Sequence, residues 1–357
     1  MPRQPRSADD TLRTGAPAVS VHDVARRAGV SLGTVSNALN RPQVVSPDTL
    51  ERVRKTIDEL GYVRNESARQ LRAGRSRTIG LVVLDVGNPF FIDVARGVED
   101  AANAAGLAVI LCNSDASTAK EDNYLDLLEQ LRVRGVLITP VDTVGPRLEA
   151  VRQRGTPVVL LDRHARNKNQ SSVWVDDVLG GELAVDHLLE TGHKRIAFVG
   201  GAAKVKQVED RLKGAQRAIR RSGKVDIEFG VHVAPSLNTV GGIAAARQLL
   251  AMRPRPTAVF CVNDLIALGV LQVALEMGLR IPHDVAIVGY DDIEYAAAVS
   301  HPLSSVRQPR RLIGQTAAKL LMDEAEAGED HRHQQIVFKP ELIIRQSTDM
   351  RGKTPRA

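Results

Sequence analysis

The apolar positions of this chain follow two different patterns. Between Val19 and Asn40 they recur at helical spacing: Val21, Val24, Ala25 and Ala28 share one face, and Val35, Ala38 and Leu39 share another. Gly29, between the two runs, accepts the left-handed backbone that ends a helix, and Ser31 can cap the next one. The pattern predicts two short helices around a tight turn, a helix-turn-helix, whose second helix can lie in the DNA major groove. Ser46-Pro47 reads as a third helix start, a capping hydroxyl followed by proline at the first helical position. Val53, Ile57 and Leu60 make that helix's face and Gly61 its end. Residues 65–78, NESARQLRAGRSRT, are helix-capable but short and polar, so they form a helix only if something else orders them.

From Thr78 the pattern becomes continuous apolar runs alternating with amphipathic stretches. A first set comprises TIGLVVLDV, a helix from Phe91 to Ala105, LAVILCNS, a helix around Leu125–Leu131, GVLITPV, a helix around Leu148–Gln153, and PVVLLDR. A second set opens with SVWVDD. It continues through a helix around Gly181–Glu190, RIAFVGG, a helix around Arg211–Arg220, a strand near Gly230–Ala234 and a helix around Gly241–Ala251. AVFCVND, a helix around Ile266–Gly278 and VAIVGYDD complete it. Strands buried on both faces and alternating with helices predict parallel sheets, and two successive sets predict two lobes. Ligands in such sheets sit at the carboxyl ends of the strands. There this chain concentrates Asp85, Asn88, Asp162, Arg163, Asn263, Asp264, Asp291 and Asp292.

Length and charge sharpen this picture. The chain has 357 residues, enough for two or three domains. Residues 1–75 hold twelve Arg and one Lys against eight Asp and Glu, a net charge of +5, whereas residues 76–350 sum to −2. The positive excess thus accompanies the helix-turn-helix, where phosphate neutralisation would use it. No apolar run approaches the roughly 18 residues of a membrane span. The basic N-terminus (Arg3, Arg6, Arg13) precedes no apolar stretch, unlike a secretory signal. Cys112 and Cys261 lie in strand-like runs and read as buried reduced thiols of a cytoplasmic protein.

Enzyme motifs are missing from the sequence. Gly200-Gly201 follows a strand but lacks the third glycine of a dinucleotide site, and there is no Walker, G-x-S-x-G or H-E-x-x-H sequence. The nine His residues show no ligand spacing; His331 and His333, in a polar loop, are expected to be solvated. Neither a cofactor nor a metal nor catalysis is expected. Taken singly, Asp85 reads as a solvated strand-end carboxylate, Asp264 as a helix cap and Trp174 as a core residue.

Together the motifs resemble the LacI/GalR family of bacterial transcriptional regulators. VSVHDVARRAGVSLGTVSNALN, SPDTLERV, GYVRN and ARQLR match its DNA-binding end. DVGNPFF, GVLITP, LLDR, VDDVLGG, HLLETGHKRIAFVGG, DRLKGA, VNDLIALG, IPHDVAIVGYDD and SSVRQPRRLIG match its core, which is similar to periplasmic sugar-binding proteins. The resemblance implies a disordered basic arm (1–18), a three-helix headpiece (19–64), a hinge helix or linker (65–77), a two-lobed α/β core (78–346) that binds effector and dimerises, and a polar tail (347–357). It implies that Leu32, Gly33 and Asn37 read base edges while Ser31, Thr34 and Ser36 position the helix on phosphates. In the hinge, which starts at Asn65, Leu71 would wedge into the minor groove with Ala68 near the dyad.

The same resemblance places Asn88, Phe90, Phe91, Asp162, Arg163, Arg211, Asn263, Asp291 and Gln308 at an effector cleft between the lobes. Carboxylates, amides and guanidinium groups can hydrogen-bond adjacent hydroxyls, and a phenyl ring can face a sugar ring. Only 3% of residues are aromatic, little stacking surface for a purine. A pentose-like sugar is therefore the expected effector, with a nucleoside, purine or protein co-effector as the alternative. A sugar-binding transport protein would need a signal peptide and no basic headpiece. The segment QSTDMRGKTPRA after Arg345 has no leucine heptad, so the expectation is a homodimer on a pseudo-palindromic operator.

Overall fold

A computed structural model describes residues 19–62, 76–141, 145–201, 205–328 and 331–349. The hinge residues singled out above, Asn65, Ala68 and Leu71, lie outside them. Contacts divide the chain into two compact units between Arg75 and Ser76.

The first unit is built from α1 (Val21–Ala28), α2 (Leu32–Asn40), a 3-10 turn (Pro42–Val44) and α3 (Pro47–Leu60). Ser20 and Asp23 form a reciprocal capping box at the start of α1, and Gly29 ends it with φ 65°. Val24, Ala25, Ala28, Val35, Ala38 and Val53 make the small core, with Ile57, Leu60 and Tyr62 packed against it. Ser46 occupies the N-cap of α3 as expected. Its hydroxyl donates to Thr49 Oγ1, however, and caps no backbone N–H.

The second unit contains β1 (Thr78–Val83), α4 (Pro89–Ala104), β2 (Ala108–Asn113), α5 (Thr118–Gln130), β3 (Val136–Ile138), α6 (Pro146–Gln153), β4 (Val158–Leu161) and β5 (Ser172–Val175). After these come α7 (Asp177–Glu190), β6 (Arg195–Gly200), α8 (Lys206–Ser222), β7 (Glu228–Val233), α9 (Thr239–Leu249), β8 (Ala258–Cys261), α10 (Asp264–Glu276) and β9 (Ala286–Asp291). The chain closes with α11 (Glu294–Ala298), β10 (Ser304–Arg307), α12 (Arg310–Ala327), β11 (Gln335–Phe338) and β12 (Glu341–Ile343). Two six-stranded sheets result, ordered β11-β5-β4-β3-β1-β2 and β12-β10-β9-β8-β6-β7. All pairs are parallel except β10 with β12. In each lobe the order reverses beside the first strand, at β1 and at β6, which puts a ligand crevice at their carboxyl ends.

Three assignments from sequence are corrected. SVWVDD does not open the second lobe: β5 pairs with β4 and β11 in the first sheet. The chain therefore crosses between lobes three times, after β5, between β10 and α12, and between β11 and β12. The core also does not end at 346. Ser347 and Thr348 are fully buried; Ser347 Oγ donates to Ile287 O at 2.5 Å, and Thr348 Oγ1 meets His187 Nε2 at 2.7 Å. A polar sequence looked like tail because its hydroxyls satisfy buried groups that sequence does not display. His331 and His333 are not solvated: their side chains are 8% and 25% exposed beside Glu324. Cys112 and Cys261 are buried free thiols, and no helix among the described residues is long and apolar enough to cross a membrane.

Candidate functional site

Helix α2 presents one side to solvent while Val35 and Ala38 anchor the other in the small core. Ser31 Oγ accepts from Thr34 N at 3.1 Å and pairs with Thr34 Oγ1 at 2.9 Å, so both hydroxyls are committed to shaping the helix start. Ser36 is likewise engaged, its carbonyl and hydroxyl receiving the Asn40 amide. Leu32, Gly33 and Asn37 are all exposed, with Gly33 and Asn37 one turn apart on one face. A methyl-bearing side chain, a gap and a carboxamide form a surface that can touch a thymine methyl and pair bidentately with adenine.

The second cluster lies between the lobes of the larger unit. Its centre is Arg211 on α8, only 5% exposed. Arg211 Nε donates to Asp177 Oδ1 at 2.8 Å, Nη1 donates to Val262 O at 2.7 Å, and Nη1 stands 3.7 Å from Asp291 Oδ1. The guanidinium also lies 3.6 Å over the Tyr290 ring. This reach depends on Gly214, one turn on. A Cβ there would come within 2.0 Å of Val178 O, so only glycine lets α8 pack so closely on α7, which carries Asp177.

The remaining polar groups join across the cleft. Asn88, which caps α4 by accepting from Phe90 N, donates to Asp291 Oδ2 at 3.2 Å. Gln308 Nε2 donates to Asp291 Oδ1 at 2.7 Å. Gln207 Nε2 donates to Asp162 O and Oδ2 at 2.8 and 2.9 Å. Asn263 is drawn into structure, capping α10 and donating to Leu237 O. Arg310 Nε donates to Asp93 at 2.9 Å, and its Nη1 reaches the Asp291 and Asp292 carbonyls, another tie between lobes.

Three buried carboxylates, Asp162, Asp177 and Asp291, thus surround one guanidinium. Burial raises the pKa of each. Asp162 is pushed up to about 8, first by burial and then by Asp177, against the pull of Arg211 and Gln207. Asp162, Asp291 and Asp292 also hold φ of 53°, 101° and 53°, a left-handed backbone that Asp tolerates at some cost and that fixes where each carboxylate points. Among the described residues, Asp162 Oδ1 and Gln308 Oε1 are buried oxygens without a hydrogen-bond partner.

A cavity of about 480 Å³ opens beside this cluster, lined among others by Asp162, Arg163, His164, Trp174, Asp177 and Gln207. Of the residues expected at the cleft, Asp162 and Arg163 line this cavity, while Asn88, Arg211, Asp291 and Gln308 are joined to one another in the adjoining cluster. Phe90 and Phe91 sit elsewhere: at 2% and 7% exposure they belong to the core of the first lobe. The aromatic wall is Trp174, which sequence alone assigned to the core and which meets His164 edge-on at 4.6 Å. Asp177 and Gln207 were also missed. Asp264 is fully buried and accepts from Ser305 Oγ and Ile293 N, holding the end of β9 in place, while Asn263 is the helix cap.

Comparison with known proteins adds to this geometry. A family described as "Bacterial regulatory proteins, lacI family" matches residues 20–65, and a "Periplasmic binding protein-like domain" matches residues 185–348. The "HTH-type transcriptional repressor PurR" of Photobacterium profundum is 34% identical over 92% of this chain and 98% of its own length. A LacI family transcriptional regulator from Enterococcus faecium, solved with bound ribose, is 30% identical, covers 76% of this chain and 98% of its own, and superposes with a TM-score of 0.70. The lac repressor dimer bound to operator and the anti-inducer ONPF is 27% identical, covers 93% of this chain and 99% of its own, and gives 0.79.

Proposed function

The chain belongs to the LacI family of bacterial regulatory proteins, and from that premise we propose that it is a homodimeric repressor whose grip on operator DNA is set by a small sugar between its lobes. The headpiece is the DNA reader: α2 offers Leu32, Gly33 and Asn37 to base edges, and Ser31, Thr34 and Ser36 fix the helix for phosphate contact. Two copies related by a two-fold axis would read a pseudo-palindrome. We place the protein in the bacterial cytoplasm, at the nucleoid, and assign it no catalytic role.

One observation carries the effector assignment: Asp162 lines a polar cavity, and its buried Oδ1 has no hydrogen-bond partner. Adjacent hydroxyls supply donors in pairs, and a neutral polyol adds no further negative charge to a site holding three carboxylates. The cavity volume suits a ligand of pentose size, and Trp174 gives a single flat wall. The PurR relative keeps a purine as the second reading, but a purine would use stacking surface that this wall supplies on one side only. Because Asn88–Asp291 and Gln207–Asp162 cross the cleft, a sugar bound among them rearranges the contacts between lobes. A coupling of about 1–3 kcal/mol gives a 5- to 150-fold change in operator affinity.

The test is a thermal-shift screen of pentoses, hexoses, nucleosides and purines, followed by operator titration with whichever binds. Ribose at about 100 times its Kd should add about 2.7 kcal/mol of stability. Stabilisation by purines alone would replace the sugar assignment. The affinity should also depend on pH. In the free protein the Asp162 carboxyl holds its proton up to about pH 8. Hydroxyl donors favour the charged form, so binding releases a proton. Sugar affinity should accordingly rise from pH 6 to pH 8 and level off above it. A flat profile by calorimetry would remove Asp162 from the contact set.

The hinge makes a separate prediction. Leu71→Ala should weaken operator binding while leaving the melting of the core and its sugar response unchanged, because a minor-groove wedge acts only on DNA. Unchanged operator affinity would rule out Leu71 as the wedge.

A further inference from the structure

We propose that Ser171, Glu324, His331 and His333 form a binding site for one divalent transition-metal ion of the zinc type. The site lies at the amino ends of β5 and β11, the opposite end of the sheet from the sugar cleft. Ser171 immediately precedes β5, Glu324 is in the last turn of α12, and His331 and His333 immediately precede β11. Glu324 is 8% exposed, an uncommon place for a carboxylate without a cation.

Ser171 Oγ donates to Glu324 Oε2 and accepts from Gln334 N, and the four side-chain atoms are also spaced as the ligands of one metal ion would be. Glu324 Oε2 stands 3.1 Å from Ser171 Oγ, 3.5 Å from His331 Nε2 and 3.4 Å from His333 Nδ1. Ser171 Oγ stands 3.5 Å from His331 Nε2 and 3.3 Å from His333 Nδ1. Charge-assisted hydrogen bonds to a carboxylate run at about 2.7–2.9 Å, so these are long for that purpose. Tetrahedral zinc holds its nitrogen and oxygen ligands at about 2.0–2.1 Å, which separates neighbouring ligand atoms by about 3.3–3.4 Å. Five edges of a near-regular tetrahedron are therefore already in place, each residue contributing one atom. The three strong ligand atoms lie within 4.8 Å of one another. Two imidazoles, one carboxylate and a hydroxyl favour zinc, cobalt, nickel or copper over calcium or magnesium.

The ion would tie the end of α12 and the root of β11 to the root of β5. Two of the three crossings between lobes leave from the far ends of those strands, so the metal would brace, from the opposite end, the two strands that lead into the hinge.

Untagged full-length protein, stripped with a chelator and titrated with cobalt(II), gives the test. The expected result is one equivalent bound with the intense visible absorption of tetrahedral cobalt, bleached by zinc, which has a filled d shell. His331→Ala and His333→Ala should each weaken binding by more than about 100-fold, since losing a supporting partner alone costs 10- to 100-fold. His301→Ala should change nothing. Melting curves in metal-free buffer check that the variants fold, and zinc should raise the melting temperature of the parent protein and of His301→Ala but not of His331→Ala or His333→Ala. A weak octahedral spectrum, or stoichiometric binding that survives both His substitutions, would overturn the assignment.

Discussion

Arg211→Met should destabilise the larger unit by about 3–5 kcal/mol and abolish the effect of sugar on operator binding. The stability loss follows from leaving Asp177 and Asp291 buried without their cation. For a unit of this size that corresponds to a fall in melting temperature of roughly 6–20 °C. The deficit should depend on pH in a defined direction. Burial already raises the pKa of both carboxyls, and removing the guanidinium raises them further. Groups so shifted stabilise the fold when protonated, and that contribution is lost as pH rises through their folded-state values. The variant's deficit should therefore shrink as pH falls through those folded-state values and grow as pH rises through them.

A second substitution separates stability from sensing. Arg211→Met combined with Asp177→Leu removes one stranded charge with its partner and should recover part of the melting temperature. It should not recover the sugar response, because the cation that positions Asp291 is still gone. A near-neutral Arg211→Met, or one that still releases DNA with sugar, would show that the cluster is packing and not sensor.

Much of this arrangement could be read before the fold was seen, for physical reasons that differ by element. The helix-turn-helix was legible because its periodicity, its Gly29 stop and its Ser31 cap are local signals. The parallel strands were legible because burial on both faces leaves continuous apolar runs. What stayed hidden was non-local. β5 looks like the start of a new set because nothing in SVWVDD states which sheet it joins. The returning segment from Arg310 to Ile343 is amphipathic or polar, and its pairing with β5 and β10 is fixed by partners far away in sequence.

Site residues divide along the same line. Asp162, Asp291 and Asn88 sit at strand ends, where topology alone predicts ligands. Asp177 and Gln207 sit in the first turns of helices, and their roles come from Arg211 on the neighbouring helix and from Asp162 across the cleft. Phe90 and Phe91 were expected at the cleft because aromatic residues next to a strand end fit a sugar ring, but helix α4 turns both inward. Trp174 went the other way: a strand position gives no sign of whether its face is covered, and here it borders the cavity.

Asn37→Arg should redirect the headpiece from adenine to guanine at one position in each half-site. Asn37 is exposed on α2, one turn from Gly33, whose missing side chain leaves the approach to the groove open. A carboxamide there matches the N6 and N7 edge of adenine, whereas a guanidinium matches O6 and N7 of guanine, each match worth about 1–3 kcal/mol. A symmetric dimer makes the contact twice. Each protein should thus favour its matched base by about 2–6 kcal/mol over the two half-sites, roughly 30-fold to more than 10,000-fold in relative affinity. Selection from a randomised duplex pool, followed by anisotropy titrations at one salt concentration, measures it. The added charge also strengthens binding to any DNA, so Asn37→Ala serves as the reference: it should lose the adenine preference without gaining a guanine one, and its salt dependence should match the parent's. If all three proteins select the same base at that position, Asn37 does not read it, and specificity there rests on Leu32 or on the shape of the operator.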